Sequence, residues 1–265
     1  MTSTELAALL AVAHRAADAA RPAVLRHFRA EGLAVDDKGE AGRYDPVTAA
    51  DRAAEAAIRA VLAAERPGDA VLGEEDGHAA GTSGLTWVVD PIDGTRAFLI
   101  GAPTWGVLIA LEDGARPVVG LMDQPFTRER FWGLGGEAWW RRDGEAPRRL
   151  TARRGVPLAE ARLCTTFPEV GTPEEGAAFA RLSRRVRLTR YGLDCTAYAL
   201  LAAGGVDLVV EAGLQAYDIQ ALMPIIEGAG GIVTTWEGGD ARRGGRILAA
   251  ATPELHRAAM EILAG

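Results

Sequence analysis

The sequence predicts an α/β fold with an antiparallel-rich first half and an alternating second half. In the first half, strand-like runs follow one another with only turns between them: AVLG, TWVVD, WGVLIALE, PVVGLMDQ and ERFWGLG, between residues 70 and 135. From about residue 160 onward, strand and helix patterns alternate instead. The segment between them, 140 to 160, is rich in Arg, Gly and Pro without a sustained period. It marks a boundary between a subdomain at 1–150 and one at 151–265.

The elements follow in chain order. Thr2 with Glu5 makes a capping box, and Leu6, Leu9, Leu10, Ala13, Val24, Leu25 and Phe28 give a helical stripe with Pro22 as a candidate kink. A charged loop, DDKGEAGRYDP, leads to Thr48, which opens a second helix running to about Arg66 before Pro67-Gly68. AVLG (70–73) and TWVVD (86–90) are short strands, each leading into acidic residues. The three strands after them are linked by turns containing Asp113-Gly114 and Pro125. A strand at 162–166, a helix at 173–185, a strand at 186–189, a helix at 194–203 and the strand VDLVVEA come next. A helix at 217–229, strands GIVTTW and RILAAA, and a helix opened by Thr252-Pro253 complete the order.

With 265 residues, 48% hydrophobic and 25% charged, the chain can bury a large core. A net charge of −7 argues against a nucleic-acid footprint, which needs a basic face. Cys164 and Cys195 are too few for a disulfide framework and stand outside any zinc-type spacing, so they are expected as small buried residues in a reducing compartment. The N-terminal stretch carries His14, Arg15 and Asp18 among its apolar residues and therefore reads as an amphipathic helix, not a signal peptide. No apolar run is long enough to span a bilayer, and a cytoplasmic location is expected. Trp105, Trp132, Trp139 and Trp140 stand at strand spacing, which favours core positions over a ring-stacking surface.

The stretch WVVDPIDGT (87–95) carries the chemistry. An apolar strand delivers Asp90 to its C-terminal edge, Pro91 stiffens the turn, and Asp93 follows at a spacing that lets both carboxylates converge. Gly94-Thr95 then starts a helix whose first backbone N–H groups suit a phosphate. An Asx-turn followed by a helix N-cap would use the same residues. Further carboxylates at element ends, Gly73-Glu74-Glu75-Asp76 and Tyr217-Asp218, favour a metal site, and carboxylates without nearby histidine favour a hard cation such as Mg²⁺. Asp51 stands in a capping box with Thr48, and Asp218 also fits a plain N-cap. Lys38 is the only lysine in an Arg-rich chain, a hint that a compact ammonium is needed there.

Gly73-Glu74-Glu75, Asp90-Pro91-Ile92-Asp93-Gly94-Thr95 and Tyr217-Asp218 through Glu227-Gly228-Ala229-Gly230-Gly231 together resemble the inositol monophosphatase family, in the family's order and over nearly the whole chain. The resemblance implies a layered αβαβα sandwich, a homodimer, Mg²⁺ as cofactor and a small-molecule phosphate monoester as substrate. It implies metal ligands Glu74, Asp90, the backbone carbonyl of Ile92, Asp93 and Asp218, with Gly94 and Thr95 also holding phosphate. Asp51 and Thr95 would activate the attacking water, with Glu74 in the same catalytic set and Lys38 near a further metal and the substrate. The reaction implied is direct in-line attack of water on phosphorus without a phosphoenzyme.

Within the family, Arg190 through Tyr198, GAPTWGVLIALE and AYDIQALMPIIEGAGGIVTTWEG resemble the histidinol-phosphatase branch. Inositol-specific members are expected to carry a small or hydroxyl residue where Asp194 stands. Asp194 with Glu211 would hold the ammonium of histidinol through charge-assisted hydrogen bonds. The alternatives are an N-cap for Asp194 and a strand-end surface acid for Glu211. Leu193 and Thr196 depart from the branch, which has a glycine and an aromatic there.

Other family substrates are inositol monophosphate, fructose bisphosphate and a phosphoadenosine nucleotide; the site lacks a basic cluster for a second phosphate. A haloacid-dehalogenase-type phosphatase has one residue, not two, between its paired aspartates, and a downstream lysine that this chain lacks. A non-catalytic metal-binding regulator would be expected to have lost a ligand, whereas the full set is present.

Overall fold

Thr2 and Thr48 both form reciprocal capping boxes, with Glu5 and Asp51, and so fix where the first two helices begin: α1 (Ser3–His27) and α2 (Ala49–Glu65). The structure, a computed structural model, describes residues 1–32, 35–37 and 46–265. Helix α1 runs on through Pro22 as one element. A short antiparallel pair, β1 (Val35–Asp37) with β2 (Pro46–Thr48), stands between the two helices in sequence.

Seven of the next elements, β3 (Ala70–Gly73), β4 (Gly77–Ala79), β5 (Thr86–Asp93), β6 (Gly106–Glu112), β7 (Pro117–Gln124), β8 (Glu129–Leu134) and β9 (Glu137–Arg142), are joined by β10 (Arg148–Arg149) in one sheet. The only helix among them is α3 (Thr95–Leu99). The sheet order is β10-β9-β8-β7-β6-β5-β3-β4, antiparallel except for the β3–β5 pair. Strand β9 runs into the stretch expected to be aperiodic, because Trp139 and Trp140 pair with Trp132 and Phe131 across the ladder.

The second half follows as β11 (Arg162–Thr165), α4 (Pro173–Ser183), β12 (Leu188–Tyr191), α5 (Asp194–Ala202), β13 (Leu208–Leu214), α6 (Ala216–Ile219), α7 (Leu222–Gly228), β14 (Ile232–Thr235), β15 (Gly245–Ala250) and α8 (Pro253–Ala264). Its sheet has the order β12-β11-β13-β15-β14. The helix expected over 217–229 is two helices, α6 and α7.

Strand alternation assigns the layers. Trp87, Val89, Val107, Ile109, Leu111, Val119 and Leu121 face α1 and α2, packing on Ala16, Ala20, Ala54, Ile58 and Leu62. Val88, Leu108, Ala110 and Met122 point the other way, into a core shared with α5, α7 and the second sheet; α4 and α8 add Phe179, Leu182, Leu255 and Ala259 to it. The result is the expected αβαβα sandwich. Trp87, Trp105, Trp132 and Trp236 are buried, and Trp139 and Trp140 pack against the cores half-buried. Among the described residues no helix is long and apolar enough to cross a membrane.

Candidate active site

Residues three apart on a regular strand face opposite ways, yet Asp90 and Asp93 meet. The register explains it: Asp90 stands opposite Leu108 and Asp93 opposite Gly106, so β5 spends one more residue than β6 over the same span. That bulge restores a common face. Asp90 continues the Val88 side of β5 into the middle layer, and its Oδ1 accepts the Ile92 N–H at 3.0 Å, pinning the turn. Carboxylate oxygens of Asp90, Asp93 and Asp218 all lie within 4.8 Å of one another.

Glu74 joins them from β3, the neighbour of β5, with its N–H donated to Val89 O at 3.2 Å. Burial first, then the carboxylates of Glu74, Asp93 and Asp218, push the Asp90 carboxyl well above the usual range. Burial, then Asp194 and Asp218, does the same for Asp93, against the Cys195 N–H that donates to its Oδ2 at 2.6 Å. So dense a set of oxygen-only acceptors fits a hard divalent cation, whose charge relieves the mutual repulsion. Asp218 is not the N-cap of α6, which is Gln215; it stands three residues on and accepts the Gln215 N–H at 2.6 Å.

The turn after Asp93 needs glycine twice over. Gly94 has φ +86°, and a Cβ there would lie 3.0 Å from the Asp194 side chain and 3.2 Å from Trp105 Cα. Thr95 opens α3, and its hydroxyl donates to the Ile92 carbonyl at 3.1 Å. Helix α3 packs on β2, which brings the start of α2 to the same turn. There Asp51 is 1% exposed, and its Oδ2 accepts the Thr48 N–H at 2.8 Å and hydroxyl at 2.6 Å, so the capping box expected from sequence is formed. Lys38 lies outside the described residues.

The second half brings two more acids to this place. Asp194 adopts φ +46° at the first turn of α5, a left-handed conformation that aspartate tolerates better than most residues at a cost of about 1 kcal/mol. Leu193, not Asp194, is the N-cap of α5, and Asp194 Oδ2 accepts the Thr104 hydroxyl at 3.4 Å. Burial raises its carboxyl to about 6. Glu211 is not a surface acid: only 5% exposed, it accepts from the Thr165 hydroxyl (3.1 Å), the Thr166 N–H (2.7 Å) and the Thr166 hydroxyl (2.9 Å). Burial outweighs these bonds and raises it to about 7. The Thr196 hydroxyl donates to Thr104 O at 3.0 Å.

One supporting residue escaped the sequence reading. Glu55, fully buried on α2, accepts the N–H groups of Glu75 (2.8 Å) and Asp76 (3.0 Å) and the Arg59 guanidinium (2.8 Å). It thereby fixes the turn that presents Glu74. Its signal was an acid beside the Ala50, Ala54, Ile58, Leu62 stripe of an amphipathic helix. Cys164 and Cys195 are both free and buried, as expected.

The inositol monophosphatase family model matches residues 5–264. The chain is 38% identical to the chloroplastic bifunctional phosphatase IMPL2 of Arabidopsis thaliana, over 99% of this chain and 77% of that protein. It is 36% identical to a histidinol-phosphatase of Mycobacterium tuberculosis, over 94% of each. An inositol monophosphatase from Zymomonas mobilis superposes with a TM-score of 0.85 at 37% identity, covering 100% of both chains. On these grounds, and with its carboxylates gathered at one strand end, the chain belongs to the inositol monophosphatase family and is a phosphoric monoester hydrolase.

Proposed function

We propose that the protein hydrolyses histidinol phosphate to histidinol and inorganic phosphate with Mg²⁺ as cofactor. The observation that carries the substrate choice is an acid pair, half-buried Asp194 and buried Glu211, beside the carboxylate cluster. Asp194 lies against Gly94, next to Asp93, and bears electrostatically on both Asp93 and Glu211. A substrate that brings a cation next to its phosphate compensates two of them, whereas a neutral polyol compensates neither. The similarity to a histidinol-phosphatase supports the same choice.

Glu74, Asp90, Asp93, Asp218 and the Ile92 carbonyl are the residues that would hold the metal. When bound, the ion supplies positive charge against the phosphoryl oxygens and lowers the pKa of water. The chain's own part is positional. Backbone N–H groups at Gly94 and Thr95 hold phosphate oxygens, and the Thr95 hydroxyl with the Asp51 carboxylate orients the attacking water and takes its proton. The water oxygen bonds to phosphorus as the ester P–O bond breaks, and the leaving histidinol oxygen takes up a proton. Asp194 and Glu211 bind the nitrogen-bearing end and so set the distance from phosphorus to the metal ligands. Lys38 belongs to the same reading as a further contact to the substrate side.

Comparison of Asp194→Ala with wild type on histidinol phosphate and inositol 1-phosphate tests the reading. The expected result is a 10- to 100-fold loss in kcat/KM on histidinol phosphate alone, the size of one charge-assisted contact. An equal loss on both substrates, or none on either, refutes it.

A further inference from the structure

Tyr198 is 3% exposed, and its hydroxyl has no hydrogen-bond partner among the described residues. Buried hydroxyls are rarely left so, because the orphaned group costs about 1–3 kcal/mol. Its location suggests what it is kept for. Tyr198 lies four residues after Asp194 on the nine-residue helix α5, about one turn from it. That helix packs against β11 and β13, which carry Thr165 and Glu211. The hydroxyl lies within electrostatic reach of Glu211 first, then of Asp93 and Asp218. These carboxylates are acceptors, and none of them is at hydrogen-bond distance from the hydroxyl.

We infer that the Tyr198 hydroxyl is the third acceptor of a subsite, completed by Asp194 and Glu211, that receives the substrate's ammonium group. The inference rests on the proposed function and adds a specificity-determining residue to it. The count of acceptor positions supports it. An alkylammonium has three N–H donors. Glu211 has about four acceptor positions, and three are taken by Thr165 and Thr166, leaving one. Asp194 supplies a second, beyond its long contact with Thr104. The phenol oxygen supplies the third, and its O–H remains free to donate to a carboxylate once the ligand has drawn the groups together. A neutral third acceptor also suits the surroundings, since a further carboxylate would add to the repulsion already present around Asp93.

The test crosses Tyr198→Phe with removal of the ammonium from the substrate, using the metal-loaded enzyme, histidinol phosphate and its deaminated analogue. The expected result is a roughly tenfold rise in KM for histidinol phosphate in Tyr198→Phe, with kcat less affected. The same substitution should change KM for the deaminated analogue less than twofold, so the two losses do not multiply. A second readout is thermal unfolding without metal or substrate: a hydroxyl kept for the ligand predicts an unchanged or higher Tm in Tyr198→Phe. A lower Tm, or equal losses on both substrates, overturns the assignment while leaving the proposed function standing. A wild type that does not distinguish the two substrates overturns both.

Discussion

Replacing Asp93 by Asn should make the metal-free protein more stable and the metal-loaded protein inactive. With oxygens of Asp90, Asp93 and Asp218 within 4.8 Å of one another, each charged pair repels by roughly 3.5 kcal/mol at an effective dielectric constant near 20. The native state escapes part of this by retaining protons, as the raised carboxyls of Asp90 and Asp93 indicate, and solvent at the half-buried Asp93 and Asp218 screens more. About 1–3 kcal/mol then remains to be gained, or roughly 2–10 °C in Tm for a chain of this size. Asn keeps the volume and an oxygen for the Cys195 N–H, so packing is not confounded. The assay is thermal unfolding at pH 8 in chelator and again in millimolar Mg²⁺. Wild type should gain Tm on adding the ion, and Asp93→Asn should start higher and gain little. A variant less stable than wild type in chelator, or one that gains as much from the ion as wild type does, refutes the repulsion argument.

Two further outcomes follow from the same geometry. Glu55→Gln places an amide N–H against a backbone donor or the Arg59 guanidinium, so Tm should fall by several degrees; divalent-ion affinity, read by calorimetry, should fall 10- to 100-fold because the Glu74 turn loosens. Unchanged affinity would mean that Glu55 serves stability alone. Glu211 has a native pKa of about 7, above its unfolded value near 4.5, so its stabilising contribution is complete below pH 4.5 and is lost as pH rises through 7. The stability of metal-free wild type relative to Glu211→Gln, from urea unfolding, should therefore decline between pH 4.5 and 7.5 by on the order of 3 kcal/mol; a flat or rising difference contradicts the buried-acid assignment.

Much of the site was legible because its residues sit in local motifs. WVVDPIDGT announces a strand, a turn and a helix start, and those three features are what bring Asp90, Asp93 and Thr95 together. The β5 bulge was not legible, since it depends on pairing with β6, a partner remote from the motif. For Asp194 and Glu211 the local reading left cap or surface roles open; Leu193 takes the cap, Asp194 lies against Gly94, and Glu211 is buried beneath Thr165 and Thr166, contacts that leave no local pattern. Strand β4, of three residues, is too short to show a period, and β9 hid behind adjacent Trp and Arg pairs. The single helix expected over 217–229 is interrupted at Gln220 and Ala221, which both keep right-handed helical dihedrals, because Pro224 has no N–H to donate to the Gln220 carbonyl four residues back.

The most direct test of the central claim is phosphate release from histidinol phosphate, inositol 1-phosphate, fructose 1,6-bisphosphate and phosphoadenosine phosphate, side by side with Mg²⁺ and compared by kcat/KM. The account predicts that histidinol phosphate leads by at least tenfold and that chelation abolishes turnover of all four. A lead by inositol 1-phosphate or by either substrate with a second phosphate contradicts the reading of Asp194 and Glu211 as an ammonium site.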